Sequence, residues 1–336
     1  MKNKKILLTI TIVLLLILCI WKFYPSFQTQ KNPISETGFY LNTVITITIY
    51  DSQDEDLLKS CMKLCQDYEK QFSRTIETSE IAQLNAGILT DENGTATLSE
   101  DTAALLAKSL EYARLSQGAF DPSIGSVSSL WDFTAENPAV PEDYLIQEAL
   151  NYVDYEQMTL NGQTLTFGIE HMQLDLGAIA KGYIADRIKD YLVSEGVASA
   201  TINLGGNVLC IGSKPDGSPF HIGIQQPFGD RNELATAVSI TDGSLVTSGI
   251  YERYFEQNGI LYHHILNPET GYPYDNNLAS VSILSKESVD GDGLSTSCFA
   301  LGLEEGMELV ESLEDTEALF ITKDGEFHYS SGFPMS

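Results

Sequence analysis

Ile45, Ile47 and Ile49 alternate with Thr46 and Thr48. A period of two sends every second side chain to one face and predicts a half-buried strand. Just after it the period lengthens: Leu57, Cys61, Leu64, Cys65, Tyr68 and Phe72 fall on one face of a helix expected over 54–72. Ser99 stands where it can cap a second helix, running through Leu105, Leu106, Leu110 and Tyr112 and stopping near Gly118. The later chain breaks into short apolar runs at 173–176, 200–204, 208–211, 235–240, 262–266 and 279–284, most of them separated by hairpin-length links. Links that short join antiparallel neighbours. A helix over 179–192 is expected to pack on the resulting sheet, so the fold class is α+β: a largely antiparallel sheet with packed helices.

The first residues depart from this pattern. Lys2, Lys4 and Lys5 precede an apolar run from Ile6 to Trp21, which Lys22 follows. The run is short for a spanning helix and has no obvious small-residue cleavage site, so membrane anchor and signal segment both stay open. Cys19 adds a lipoprotein signal to the choices, although Leu18 occupies a position where such signals carry a small residue. Lysines ahead of the run predict a cytoplasmic N-terminus and a body on the extracytoplasmic face of the cell membrane. The expected organisation is an anchor or signal at 1–23, a linker with Pro25 and Pro33 at 24–36, and one folded unit over 37–336, its regular structure starting at Phe39.

Composition narrows the partners. Hydrophobic residues make up 43% of the 336 positions, ample for a packed core. Acidic residues outnumber basic ones 47 to 19, and a net charge of -28 excludes nucleic acid as a partner held by general attraction. An anionic ligand would need local cations, backbone N–H groups or a divalent metal to overcome that field. Five cysteines, one of them Cys19, do not make a disulfide framework, and Cys61 and Cys65 read as core.

Chemistry concentrates in a few segments. Asp175 and Lys181 flank Gly177-Ala178-Ile179-Ala180 at a turn into a helix, where N–H groups and an ammonium can hold phosphate oxygens. The turn lacks the ending of a Walker loop, and Gly205-Gly206-Asn207 lacks the spacing of a dinucleotide fingerprint. Asp292 and Thr296 stand four apart, so a helix beginning there would show both to one ligand. Oxygen donors of this kind suit magnesium, while an N-cap and a surface Thr are the bland alternative. His263 and His264 are adjacent, so at most one of them should line a site.

Taken in order, 173–186, His264-Ile-Leu-Asn-Pro-Glu-Thr-Gly271 and Asp290-Gly-Asp-Gly-Leu-Ser-Thr296 resemble the ApbE family of FAD:protein FMN transferases, as does Gly118-Ala-Phe-Asp-Pro122. The likeness runs from about Phe39 to the C-terminus. It implies a T-fold-like single catalytic unit over 37–336, a transferase that moves FMN from its substrate FAD to a Thr or Ser hydroxyl of an acceptor flavoprotein and releases AMP. It further implies Mg2+ held by the Ala178 carbonyl, Asp292 and Thr296. The flavin nucleotide would meet Asn42, Thr75, Ala119, Phe120, Asp121, Asp175, Lys181, His264 and Ile265, with His264 orienting phosphate or taking the acceptor's proton. Asn267 replaces an Asp frequent in the family, and Thr75 replaces an aromatic residue frequent there, so neither proton transfer at the first nor ring stacking at the second is expected. Two alternatives stay open: a magnesium-dependent FAD pyrophosphatase, which would use the same residues with water as nucleophile and give FMN and AMP, and an extracytoplasmic flavin-binding protein without turnover, which would keep the pocket but need no metal ligands.

Overall fold

The computed structural model of the chain describes residues 32–230 and 233–334. Pro33–Ser336 form one compact unit. The expected anchor at 1–23 and most of the expected linker lie outside the described residues, among which no helix is long and apolar enough to cross a membrane.

Regular structure begins earlier than Phe39. Strand β1 (Ile34–Tyr40) takes up the last residues of the expected linker, because it pairs along its whole length with β2 (Thr43–Ile49). Leu41 and Asn42 both adopt positive φ in the two-residue turn between them, the conformation that tight hairpins require. The alternation predicted for β2 holds: Ile45, Ile47 and Ile49 are fully buried.

The expected antiparallel sheet is present and has eight strands, in the order β1-β2-β6-β7-β10-β13-β14-β15. After β2 these are β6 (Ala200–Leu204), β7 (Asn207–Ile211), β10 (Gly243–Gly249), β13 (Leu278–Ser285), β14 (Glu317–Thr322) and β15 (Phe327–Tyr329). Every neighbouring pair is antiparallel. One face is covered by the helices Glu55–Phe72, Ala180–Ser194 and Ser288–Leu301, which join Ile47, Ile188, Ile202, Val281 and Phe299 in the main core. Against a second core of Val208, Leu245, Leu319 and Ile321 packs the hairpin of β8 (Phe220–Gln225) and β9 (Leu234–Ile240), which contributes Phe220, Ile224, Val238 and Ile240. Two layers over β13 explain why nearly all of its residues are buried rather than every second one. A small sheet of β3 (Thr95–Thr97), β5 (Thr164–Phe167) and β4 (Met158–Asn161), and the hairpin of β11 (Tyr254–Gln257) and β12 (Ile260–His263), complete the unit. Cys61 and Cys65 are buried free thiols in the main core.

Three local expectations fail. The strand expected over 262–266 ends at His263, and Leu266 makes only an isolated bridge to Pro273. Residues 173–176 are not a strand; only Gln173 makes an isolated bridge, to Ile124. The backbone groups that a ladder would have used are met instead by side chains and loops. Asn85 accepts from Leu174 N at 2.7 Å and donates to its carbonyl at 2.8 Å, while Asp175 N donates to the Pro122 carbonyl at 2.9 Å. The helix containing Asp292 starts at Ser288 rather than at Asp292. Its first N–H groups are capped from another helix: both Asp186 oxygens accept, one from Ser288 N and one from Val289 N, each at 2.8 Å.

Asp186 is 3% exposed, and burial pushes its carboxyl up to about 7 despite those two N–H donors. A raised carboxyl favours the folded state most at low pH, and that contribution disappears as pH rises from about 4 through about 7. Asp186→Asn is expected to remove this slope from a plot of melting temperature against pH. It should also destabilise the chain by about 1–3 kcal/mol, since its amide nitrogen faces a donor. An unchanged slope would exclude Asp186 as its source.

Candidate functional site

The site forms where the turn after residue 173 meets the Ser288–Leu301 helix and the far end of the β10 strand. The meeting depends on one close approach. A Cβ on Gly182 would lie 2.3 Å from the Ser288 carbonyl oxygen, so only glycine lets the first turn of the Ala180–Ser194 helix sit there. As a result Gly182 N donates to Asp292 Oδ2 at 2.5 Å. Gly182→Ala would gain about 1 kcal/mol of helix propensity, but overlap with fixed backbone costs about 1–3 kcal/mol and separates the two helices. The expected result is a lower melting temperature together with loss of whatever binding needs Asp292, measured on the same preparation.

Asp292 is 3% exposed, and its second oxygen accepts from Asn207 Nδ2 at 3.1 Å. Burial raises its carboxyl above the ordinary range, while Lys181 and the two N–H donors pull it back. Thr296, one turn further along the helix, is half-buried with its hydroxyl 3.2 Å from Ser248 Oγ. Ala178, four residues before Gly182, is exposed on the turn.

The adjacent histidines separate as expected. His263 is buried against Phe299, donating through Nε2 to the Tyr274 carbonyl at 3.0 Å and accepting from Ile265 N at Nδ1. Burial holds it down at about 4. His264 faces the other way, with Nδ1 3.3 Å from the Arg253 carbonyl. A carbonyl only accepts, so Nδ1 carries the proton and Nε2 presents a lone pair. Its basicity is pushed down to about 3, by burial first and then by the positive charge of Arg253 and Lys181. Lys181 precedes the Gly182 N–H that meets Asp292, so it lies on the turn next to that carboxylate, and its charge also lowers the basicity of His264. Ile265 follows His264 as a buried residue whose carbonyl accepts from Tyr274 N.

Asp175 lies on the turn that leads to Lys181, paired with Arg74 Nε at 3.0 Å and accepting from Ser128 Oγ at 2.7 Å and Gly177 N at 2.9 Å. Arg74 leads into a cavity of about 240 Å3 lined by Asn85, Gly125, Ser129 and Gln173. A larger cavity of about 380 Å3 is lined by Thr46, Asn203, Lys214 and His221 and touches none of the expected site residues. It is therefore set aside as the place of the chemistry.

Other expected residues serve the scaffold visibly. Asp121 accepts from Ser123 N and Oγ with one oxygen and from Tyr155 N with the other, so both carboxylate oxygens tie its loop to itself and to the turn at Tyr155. Phe120 is buried, and the Ala119 carbonyl accepts from Tyr274 OH at 2.8 Å. Thr75 is exposed, its hydroxyl 3.1 Å from Ser73 Oγ. Asn267 accepts from Glu269 N, a turn role that leaves it no part in proton transfer. The carbonyl of Asn42 accepts from Arg253 Nη2 at 3.4 Å, which ties the β1–β2 turn to the His264 neighbourhood.

Sequence reasoning missed Asn207 and Arg253. Asn207 orients Asp292 and accepts from Ser288 Oγ at 2.7 Å, so both ends of its buried amide are used. Its signal was available as a polar residue opening an otherwise apolar strand after two glycines. Gly205 and Gly206 both have positive φ, and a Cβ on Gly205 would lie 2.1 Å from Thr43 Oγ1, so this turn abuts the β1–β2 turn.

Comparison with known proteins agrees with this fold. A family model described as ApbE family matches residues 41–320. The FAD:protein FMN transferase of Treponema pallidum (strain Nichols) is 35% identical over 326 residues, covering 91% of this chain and 89% of its own. That of Klebsiella pneumoniae (strain 342) is 36% identical, covering 90% and 94%. Among solved structures, the flavin transferase ApbE from Vibrio cholerae superposes with a TM-score of 0.80 at 28% identity, covering 90% of this chain and 98% of that one. The ApbE protein from Thermotoga maritima gives 0.80 at 30%, covering 89% and 97%. With its family model spanning most of the folded unit and its own antiparallel sheet matching theirs, the chain belongs to the ApbE family.

Proposed function

We propose that this protein is an FAD:protein FMN transferase. It transfers the FMN moiety of FAD to a Thr or Ser hydroxyl of an acceptor flavoprotein and releases AMP. The observation that carries the reading is the hydrogen bond from Gly182 N to the buried Asp292 carboxylate, which sets that carboxylate against the helix turn bearing Lys181. Lys181 and the positive end of the Ala180–Ser194 helix dipole favour phosphate. The acceptor oxygen attacks the phosphorus on the riboflavin side, its proton passes to His264 Nε2, and the bond to the AMP phosphate oxygen breaks. An imidazole held near 3 is a weak base in the free enzyme, but an anionic dinucleotide beside it raises its basicity as it binds.

The donor set fits magnesium. Asp292, Thr296 and the Ala178 carbonyl offer one carboxylate and two neutral oxygens, a set that leaves positions for water and phosphate. Asp292 also gains from a cation, since burial otherwise disfavours its charge. When bound there, Mg2+ would neutralise charge on the pyrophosphate oxygens. Asp175, fixed by Arg74 and Ser128, and the 119–121 and 264–265 backbone would frame the nucleotide.

The N-terminal lysines and apolar run support a membrane-attached protein working on the extracytoplasmic face. The deciding experiment incubates the full chain in detergent with FAD, magnesium and a candidate acceptor subunit, and weighs the products. FMN bound to the acceptor with stoichiometric AMP supports the reading; free FMN with an unmodified acceptor would replace transfer by hydrolysis.

A further inference from the structure

We propose that Arg253 is a phosphate-binding residue of this site, holding an oxygen of the dinucleotide pyrophosphate next to His264; the proposal rests on the FMN-transfer reading. Arg253 sits in the link between β10 and β11, and two contacts fix it. Its carbonyl accepts from His264 N at 3.2 Å and from His264 Nδ1 at 3.3 Å, so its backbone borders the imidazole. Its guanidinium donates through Nη2 to the Asn42 carbonyl at 3.4 Å, so the fork is tethered at one corner by the β1–β2 turn. A guanidinium has five N–H donors, and one carbonyl leaves the rest of the fork for a ligand.

The electrostatic setting is unusual for this chain. With 47 acidic residues against 19 basic ones, a cation has ample opportunity to pair, as Arg74 does with Asp175. Among the described residues, no carboxylate lies within ion-pair distance of the Arg253 guanidinium. Arg253 and Lys181 instead both bear on His264, with Arg253 the stronger of the two. A guanidinium tethered to the Asn42 carbonyl, on a residue whose backbone borders a neutral imidazole, forms a place for a phosphate oxygen. A planar fork matches two phosphate oxygens in a way that a single ammonium cannot. Donors preset where charge develops in phosphoryl transfer act without reorganising, and removing one typically costs a factor of about 100 to 1,000 in rate.

The test compares the full chain with Arg253→Ala and Arg253→Lys. Three quantities are read: the apo melting temperature, the affinity for inorganic pyrophosphate by displacement of FAD fluorescence, and kcat and KM for FMN transfer from FAD. The expected result for Arg253→Ala is an unchanged melting temperature, about 10-fold weaker pyrophosphate binding, and transfer slowed about 100-fold, mostly in kcat. Arg253→Lys should recover pyrophosphate affinity, because the charge returns, but little of the rate, because the fork does not. Parental pyrophosphate affinity in Arg253→Ala overturns the proposal whatever the rate does, since it would make Arg253 a prop for the Asn42 turn. If the parent chain bound pyrophosphate through Arg253 but transferred nothing to any acceptor, the transfer reading would fail while the phosphate site stood.

Discussion

Asp292→Asn is expected to slow magnesium-dependent FMN transfer by about 100-fold or more while leaving the fold intact. The size follows from the surroundings of the side chain. Gly182 N and Asn207 Nδ2 both donate to the carboxylate, so an amide must turn its own NH2 toward one of these donors. Asn207 cannot flip to receive it without giving up the Ser288 hydroxyl held by its own oxygen. The variant thus loses the negative charge that a hard cation needs and also disturbs the alignment of the remaining oxygen. Folding itself should be little affected, because removing a buried charge offsets the strained hydrogen bond. Thr296→Ala should do less damage, as water can replace a neutral ligand. Transfer rates across a magnesium series, with melting curves for each variant, check both statements. Near-parental rates for Asp292→Asn at low magnesium would remove Asp292 from the metal site.

His264→Ala is expected to bind FAD as the parent does and to transfer FMN at least about 100-fold more slowly, the usual scale for losing a general base. Only Nε2 is lost to chemistry, since Nδ1 serves the Arg253 carbonyl. The pH profile adds a second check with a definite sign. An imidazole depressed to about 3 stays unprotonated far below the ordinary range, so kcat/KM for the free enzyme should show no acidic limb at pH 6.5. An acidic limb at pH 6.5 that vanished in His264→Ala would show that the charges of Arg253 and Lys181 do not reach the ring. Equal losses of affinity and rate would recast His264 as a nucleotide ligand.

Most of the secondary structure was legible because it is a local matter. The Ile-Thr alternation of β2 and the 3.6 period around Cys61 each report a single buried face, and both came out as expected. Segment 173–176 misled for an instructive reason: its apolar residues are indeed buried, but Asn85 and Pro122 satisfy its backbone. Periodicity reports burial and does not say which partner takes the hydrogen bonds. The burial of β13 on both faces was equally invisible, since it comes from a hairpin elsewhere in the chain packing on the far side of the sheet.

The sequence by itself determined the α+β class and the family, and it singled out Asp175, Lys181, His264, Asp292 and Thr296 as candidates, because fixed short spacings carry those residue types in order. Only the tertiary structure decided that Asn207 orients Asp292 across 85 positions, that Gly182 brings an N–H to the same carboxylate across 110, and that Asp186 caps the Ser288–Leu301 helix. It alone placed Arg253 between the Asn42 turn and His264. The physical reason is that an antiparallel sheet gathers the turns of distant hairpins at one end, and the charge a side chain feels there depends on which strands are neighbours.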